Sequence, residues 1–192
     1  MSCIKKITAD IAFDCVDKAK KGLKGSKAVI VNYDDIDFGA TTATGATVSS
    51  LALKSGASGF SIGWYKDLGS IAADYRKNDE VVDGFGHSFL CRLGTSSAAN
   101  AEIASELKGG RFAIIVETNY AGATQADAFK IYGFENGLEL ETMEGSSEEN
   151  SGSLLFTLST KEDYYEEYPF QIVNETSYAI TKASFDSLFA TV

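Results

Sequence analysis

Apolar and polar positions alternate in short runs along most of this chain, and one stretch changes to a helical period. KITADIAF places Ile7, Ala9, Ile11 and Phe13 on one side, the pattern of an opening strand with one buried face. The basic, Gly-punctuated KAKKGLKGSK reads as a turn leading into a strand at AVIVNY. ATVSSLAL and SGFSIGWYK are β-prone and bounded by glycine, which predicts a hairpin or two neighbouring strands. Around them, residues 39–59 are rich in Gly, Ala, Ser and Thr and poor in large side chains, so a long loop or extended arm is expected there. FGHSFLCRL predicts the next strand.

The helical stretch is TSSAANAEIASELKGG. Thr95, Ser96 or Ser97 can cap its start, Ala99, Ile103 and Leu107 recur at four-residue spacing, and Gly109-Gly110 closes it. RFAIIVET follows with apolar residues at both parities, the pattern of a strand covered on both faces, and the helix is expected to pack over it with Ile103 and Leu107. A meander then reads AFKIYGF, a turn at Glu135-Asn136-Gly137, and LELETM, with Asn-Gly as a hairpin signal. The acidic tip EGSSEENSGS leads into SLLFTLST as the loop of a further antiparallel pair. The closing SFDSLFATV fits a short helix as well as a strand. These elements predict a mainly β fold with one flanking α-helix, an antiparallel sandwich or barrel-like single domain over residues 1–192.

Composition narrows the class. At 192 residues, 44% hydrophobic and 23% charged, the chain has the makeup of a globular domain. It has a formal net charge of −10 and one histidine, which sets it against gripping nucleic acid. Lys5, Lys6, Asp10 and Asp14 interrupt every apolar run at the start, so no secretory signal is read, and no run is long enough for a spanning helix; no membrane partner is expected. Cys3, Cys15 and Cys91 form no CxxC pair and leave only His87 to complete a zinc site, so no metal or other cofactor is expected. Cys3 and Cys15 stay open between a bridge in an oxidising setting and two free thiols.

Candidate chemistry is sparse. A Ser/His/Asp hydrolase would have to use His87, yet no G-x-S-x-G elbow exists, and a strand histidine with a structural hydrogen bond is the simpler reading. GLKGSK and GATTATG lack phosphate-loop spacing. Asp34, Asp35 and Asp37 miss the calcium-loop pattern and read as a turn. Glu102 with Glu106, and Glu139 with Glu141, lie on polar faces where solvated carboxylates belong. Tyr164, Tyr165, Tyr168 and Phe170 are interleaved with Glu162, Asp163, Glu166 and Glu167, which would repel a polyanion from any stacking platform. No catalytic residue is assigned, and the chain is read as no enzyme.

Charge is unevenly placed. Residues 1–30 hold seven lysines against three aspartates, while residues 134–168 hold ten carboxylates against Lys161. Such asymmetry suits head-to-tail association, in which one patch meets the opposite patch of a neighbour.

The order of features, with YGFENGLELETMEGSSEENSGSLLFTLSTKEDYYEEYPF following a mid-chain helix, resembles the major tail tube proteins of tailed bacteriophages. The matching pieces are a strand at 137–143, an acidic Gly-rich insertion at 145–152, a TLS strand at 156–160, and an acidic segment leading to Pro169 and Phe170. The opening CIKKITADIAFDC is similar to prophage structural proteins of Bacteroidetes-type phages. The resemblance covers residues 85–170 together with the opening. It implies a virion protein made in the bacterial host cytoplasm, hexameric rings stacked into a tube, contacts with other tail proteins, and transient passage of DNA. A monomeric β-sandwich binding module, such as a virion decoration or adhesin-like domain, is the competing class, and a small hydrolase using His87 a remote third.

Overall fold

The computed structural model describes residues 6–9, 20–64, 68–78, 82–94, 97–146, 148 and 152–190. Two sheets form the fold. The larger has seven strands in the order β2 (Thr42–Thr44), β3 (Thr47–Ser50), β11 (Gln171–Val173), β8 (Phe129–Tyr132), β7 (Phe112–Thr118), β1 (Leu23–Asn32) and β4 (Phe60–Gly63). The smaller has four, β5 (Gly69–Arg76), β6 (Gly84–Leu93), β10 (Leu154–Ser159) and β9 (Glu139–Gly145). Pairing is antiparallel except between β11 and β3. Two α-helices, α1 (Ala98–Glu106) and α2 (Tyr178–Asp186), are described beside the sheets.

The double-faced pattern of RFAIIVET explains the layering. Phe112, Ile114 and Val116 of β7, with Ala28 and Ile30 of β1, meet Phe89, Cys91, Phe156 and Leu158 of the smaller sheet. Ala113 and Ile115 point the other way, with Val29, Val31, Phe129 and Ile131, onto Phe185 of α2, Phe189, Val48, Leu51 and Leu53. Both faces of the large sheet are therefore covered at its centre, and every residue of β7 is buried, while β2 and β4 at its edges stay largely exposed. The mainly β sandwich with a flanking helix is what the alternation predicts, with a second helix added.

Several expectations need correction. Lys6–Ala9 form no strand and Ile7 is 80% exposed; the rest of the expected opening strand lies outside the described residues, as do Cys3 and Cys15. Part of the expected basic turn, from Leu23 to Lys27, already belongs to β1. Residues 39–59 are no free arm: β2 and β3 pair there, and Val48, Leu51 and Leu53 plug the core, so a few apolar side chains suffice to dock a Gly- and Thr-rich segment. The strands predicted as neighbours, β3 and β4, stand near opposite ends of the large sheet. Asn136-Gly137 is not a hairpin turn but the crossing from β8 in one sheet to β9 in the other. Gly133 and Gly137, at φ 69° and 77°, make that crossing in the left-handed region, and Leu138 then bridges Phe112.

Helix α1 is capped by Ser97, whose hydroxyl accepts from the Asn100 N–H at 3.2 Å. Its buried residues differ from the expected stripe: Ala104 is buried and Leu107 joins the inter-sheet core, while Ile103 is 46% exposed. The second helix, α2, is capped by Ser177 and anchored by Phe185; of the closing stretch left open between helix and strand, only Ser184–Asp186 belong to it, and the rest of the helix was not foreseen. It is α2, rather than α1, that covers the outer face of β7.

Candidate assembly surface

Strand β1 links two chemically opposite ends of the large sheet. Because β7 runs antiparallel to β1 and β8 antiparallel to β7, the start of β1 lies beside the end of β7, and the end of β1 beside the start of β7 and the end of β8. At about 3.3 Å per residue, the ten residues of β1 separate these ends by about 30 Å.

The first end is basic. Lys20 and Lys21 are exposed there, and Asn119 donates from its amide to the Lys21 carbonyl at 2.9 Å. Lys24 is exposed too, but it is engaged. Its ammonium pairs with the buried Glu117 at 2.6 Å and donates to the Tyr178 hydroxyl, which itself donates to Glu117 at 2.7 Å. Hydrogen bonding to Glu117 and Tyr178 holds the Lys24 ammonium well above its ordinary value. Lys182 of α2 stands 3.9 Å from the other Glu117 oxygen, so two cations neutralise one buried carboxylate and tie α2 to β1 and β7. Beside this cluster opens a cleft of about 700 Å³ that combines Lys20, Lys21 and Lys130 with Leu23, Trp64 and Ile71.

The second end is acidic and aromatic. Tyr33–Asp35 form a single 3₁₀ turn after β1. The aspartates make a turn, as their spacing suggested: Asp35 accepts from the Asn32 amide, Asp37 from the Gly39 and Ala40 N–H groups, and Asp34 pairs with Arg111 at 3.0 Å. The Arg111 guanidinium also lies over the Tyr33 ring, 4.6 Å from its centroid. The Tyr33 hydroxyl donates to the Glu135 carbonyl, which brings the acidic segment 134–168 against the end of β1.

One member of that segment is internal. Glu166 is 2% exposed and accepts from the Glu135 and Asn136 N–H groups, both at 3.0 Å, clamping the crossing between the sheets. Burial pushes its carboxyl up to about 7, against the pull of those hydrogen bonds. No local pattern marks this burial, since Glu166 sits in a run of acidic and tyrosine residues whose neighbours Glu162, Asp163 and Glu167 are exposed. Nor is the rest uniformly acidic: Glu139, Glu141, Glu162 and Asp163 share a groove with Arg76 and Lys161. Tyr164 is exposed and Phe170 packs against the inter-sheet core under Lys130, so the tyrosine-rich run offers no continuous stacking face.

His87 is buried on β6. Its Nδ1 accepts from the Gly133 N–H at 3.0 Å, which places the proton on Nε2, where it is donated to the Tyr168 carbonyl at 2.9 Å. Burial lowers its pKa to about 4. Both ring nitrogens are thus engaged by backbone, and neither is left to activate a nucleophile. Cys91 is buried between the sheets, and desolvation raises its thiol to about 12. Among the described residues no group of three or more His, Cys, Asp or Glu side chains converges on a point, and no helix is long and apolar enough to cross a membrane.

No family model, curated protein or solved structure matches the chain.

Proposed function

We propose that this chain is the subunit of a phage tail tube, a virion protein made in the bacterial host cytoplasm whose copies close into hexameric rings that stack and let DNA pass. The observation that carries the reading is the smaller sheet, whose outer strands β5 and β9 each pair with one neighbour among the described residues. Unpaired strand edges are templates for addition of another chain. Two β9 edges brought together would crowd Glu139, Glu141 and Glu144 of one copy near those of the other, which sets β9 against self-pairing and suits it to the different edge at β5. A heterologous contact of this kind closes into a ring when the rotation permits.

Three further features support the reading: the resemblance carried by residues 85–170, the opposite ends of β1, and a net charge of −10 that repels the phosphate backbone and favours passage over grip. Partners are then further copies of the chain and the tail proteins that begin and end the tube. The test is light scattering of purified protein with and without a tail-tip complex as nucleus. Growth of scattering mass on nucleation is expected. Protein that stays monomeric at high concentration both with and without the nucleus overturns the tube and leaves the isolated binding module.

A further inference from the structure

Phe38 is an exposed aromatic at the acidic end of β1, and it is held rigidly. The Asp37 carboxylate accepts from the Gly39 and Ala40 N–H groups at 3.0 and 3.1 Å, forming a turn with Phe38 at its tip. The ring rests on Tyr33 and Phe134, with centroids 5.3 and 5.6 Å away, yet 46% of the residue remains exposed. Asp34 and Asp35 precede it in the chain by four and three residues, with Asp34 paired to Arg111 and its carbonyl accepting from the Lys54 ammonium. A large ring fixed in this way binds with little loss of conformational freedom, the property of an interface anchor.

At the other end of β1 lies a receptor of the opposite character, the cleft where Leu23, Trp64 and Ile71 meet Lys20, Lys21 and Lys130. Knob and cleft match in three respects: apolar ring against apolar lining, an end where Asp34, Asp35 and Asp37 outnumber Lys54 and Arg111 against the lysines, and positions at opposite ends of one strand. The last decides the partner. A chain that carries both halves about 30 Å apart along β1 meets its complement on another copy of itself, and repetition of such a contact builds along one axis.

We infer that the Phe38 turn of one copy seats in the Lys20/Lys21/Trp64 cleft of the next, and that this is the axial contact by which rings stack. The inference rests on the tube reading for the word axial, but the contact itself is a claim about two copies. Charge steers the encounter, since exposed charges are screened within about 8 Å at physiological salt, and the buried ring holds it. Lys24 is excluded from this role because it is committed to Glu117.

The test uses two full-length variants whose folding is verified by circular dichroism and by their denaturation midpoints. Lys20→Glu with Lys21→Glu damages the cleft; Asp34→Lys with Phe38→Ala damages the knob. Lys20→Ala with Lys21→Ala, and Phe38→Ala alone, serve as milder replacements if either fails to fold. Sedimentation velocity and electron microscopy follow each variant and their mixture. Each alone is expected to lose stacking, with end-to-end association at least tenfold weaker than wild type. The mixture is expected to regain one junction, giving paired units and no longer series, because each partner retains one intact half. The cleft variant should also lose most of the salt dependence of its association rate. Tubes that form normally from either variant overturn the contact and leave the tube reading intact. An end-to-end series of wild-type copies, lost in both variants but containing no rings, upholds the contact and overturns the tube. Wild-type protein that remains monomeric with a nucleus overturns both.

Discussion

At His87 and Glu166 burial pushes two side chains toward neutrality, one by lowering a base and the other by raising an acid. Glu166 titrates near 7 in the folded chain against an ordinary 4.5. Between those values the folded state holds a proton that the unfolded state has released, so stability falls as pH rises through this window. His87 works oppositely: between its ordinary 6.5 and its folded value of about 4 the unfolded state binds the extra proton, and stability falls as pH falls. Glu166→Gln removes the first slope only. The stability advantage of wild type over this variant should shrink between pH 5 and 8, by up to about 3 kcal/mol, in urea denaturation at each pH. A difference that is flat or grows with pH would show Glu166 charged throughout. His87→Ala leaves the buried Gly133 N–H without its partner, removes the bond to the half-buried Tyr168 carbonyl and opens a cavity, so a loss of about 2 to 4 kcal/mol is expected. Any turnover detected in the wild-type chain should survive this change; a turnover abolished in folded protein would instead restore the hydrolase reading.

At the scale of elements, α1 separates pattern from packing. Leu107→Ala should cost about 2 to 4 kcal/mol and Ile103→Ala less than about 1 kcal/mol, measured by chemical denaturation. The reverse order would mean that the helix is rotated relative to the arrangement described. The four-residue stripe of Ala99, Ile103 and Leu107 was legible, but a helix of nine residues touching the core with its last turn buries only the residues near that turn, Ala104 and Leu107. RFAIIVET, the Ser97 cap, and the β9–β10 pair around the acidic tip were readable because their signals are local: period, cap chemistry and a turn between alternating runs. The placement of β3 and β4 near opposite ends of a sheet, and the use of Asn136-Gly137 to change sheets, depend on long-range pairing that no local pattern encodes. The burial of Glu166 and the commitment of Lys24 to Glu117 were hidden for the same reason. Each is fixed by a partner about thirty or more residues away.

For the whole molecule, the smaller sheet ends in the outer strands β5 and β9 among the described residues, and β1 of the larger sheet has ends that differ in charge and in shape. The uneven charge was visible along the sequence, but its arrangement was not. The fold gathers Asp34, Asp35 and Asp37 with Glu135 at one end of β1, turns Glu166 inward, and sets Lys20 and Lys21 beside an apolar cleft at the other end. The proposed lateral pairing of edges and the proposed axial seating of a knob use different surfaces, which is what a polymer of stacked rings requires. The measurement that bears most directly on this claim is electron microscopy of the full-length protein after nucleation by a tail-tip complex, with helical reconstruction of whatever forms. Hollow tubes of stacked rings are expected, with every copy in the same lateral and axial contacts. Solid fibrils, or particles no larger than a monomer despite an active nucleus, would contradict the claim.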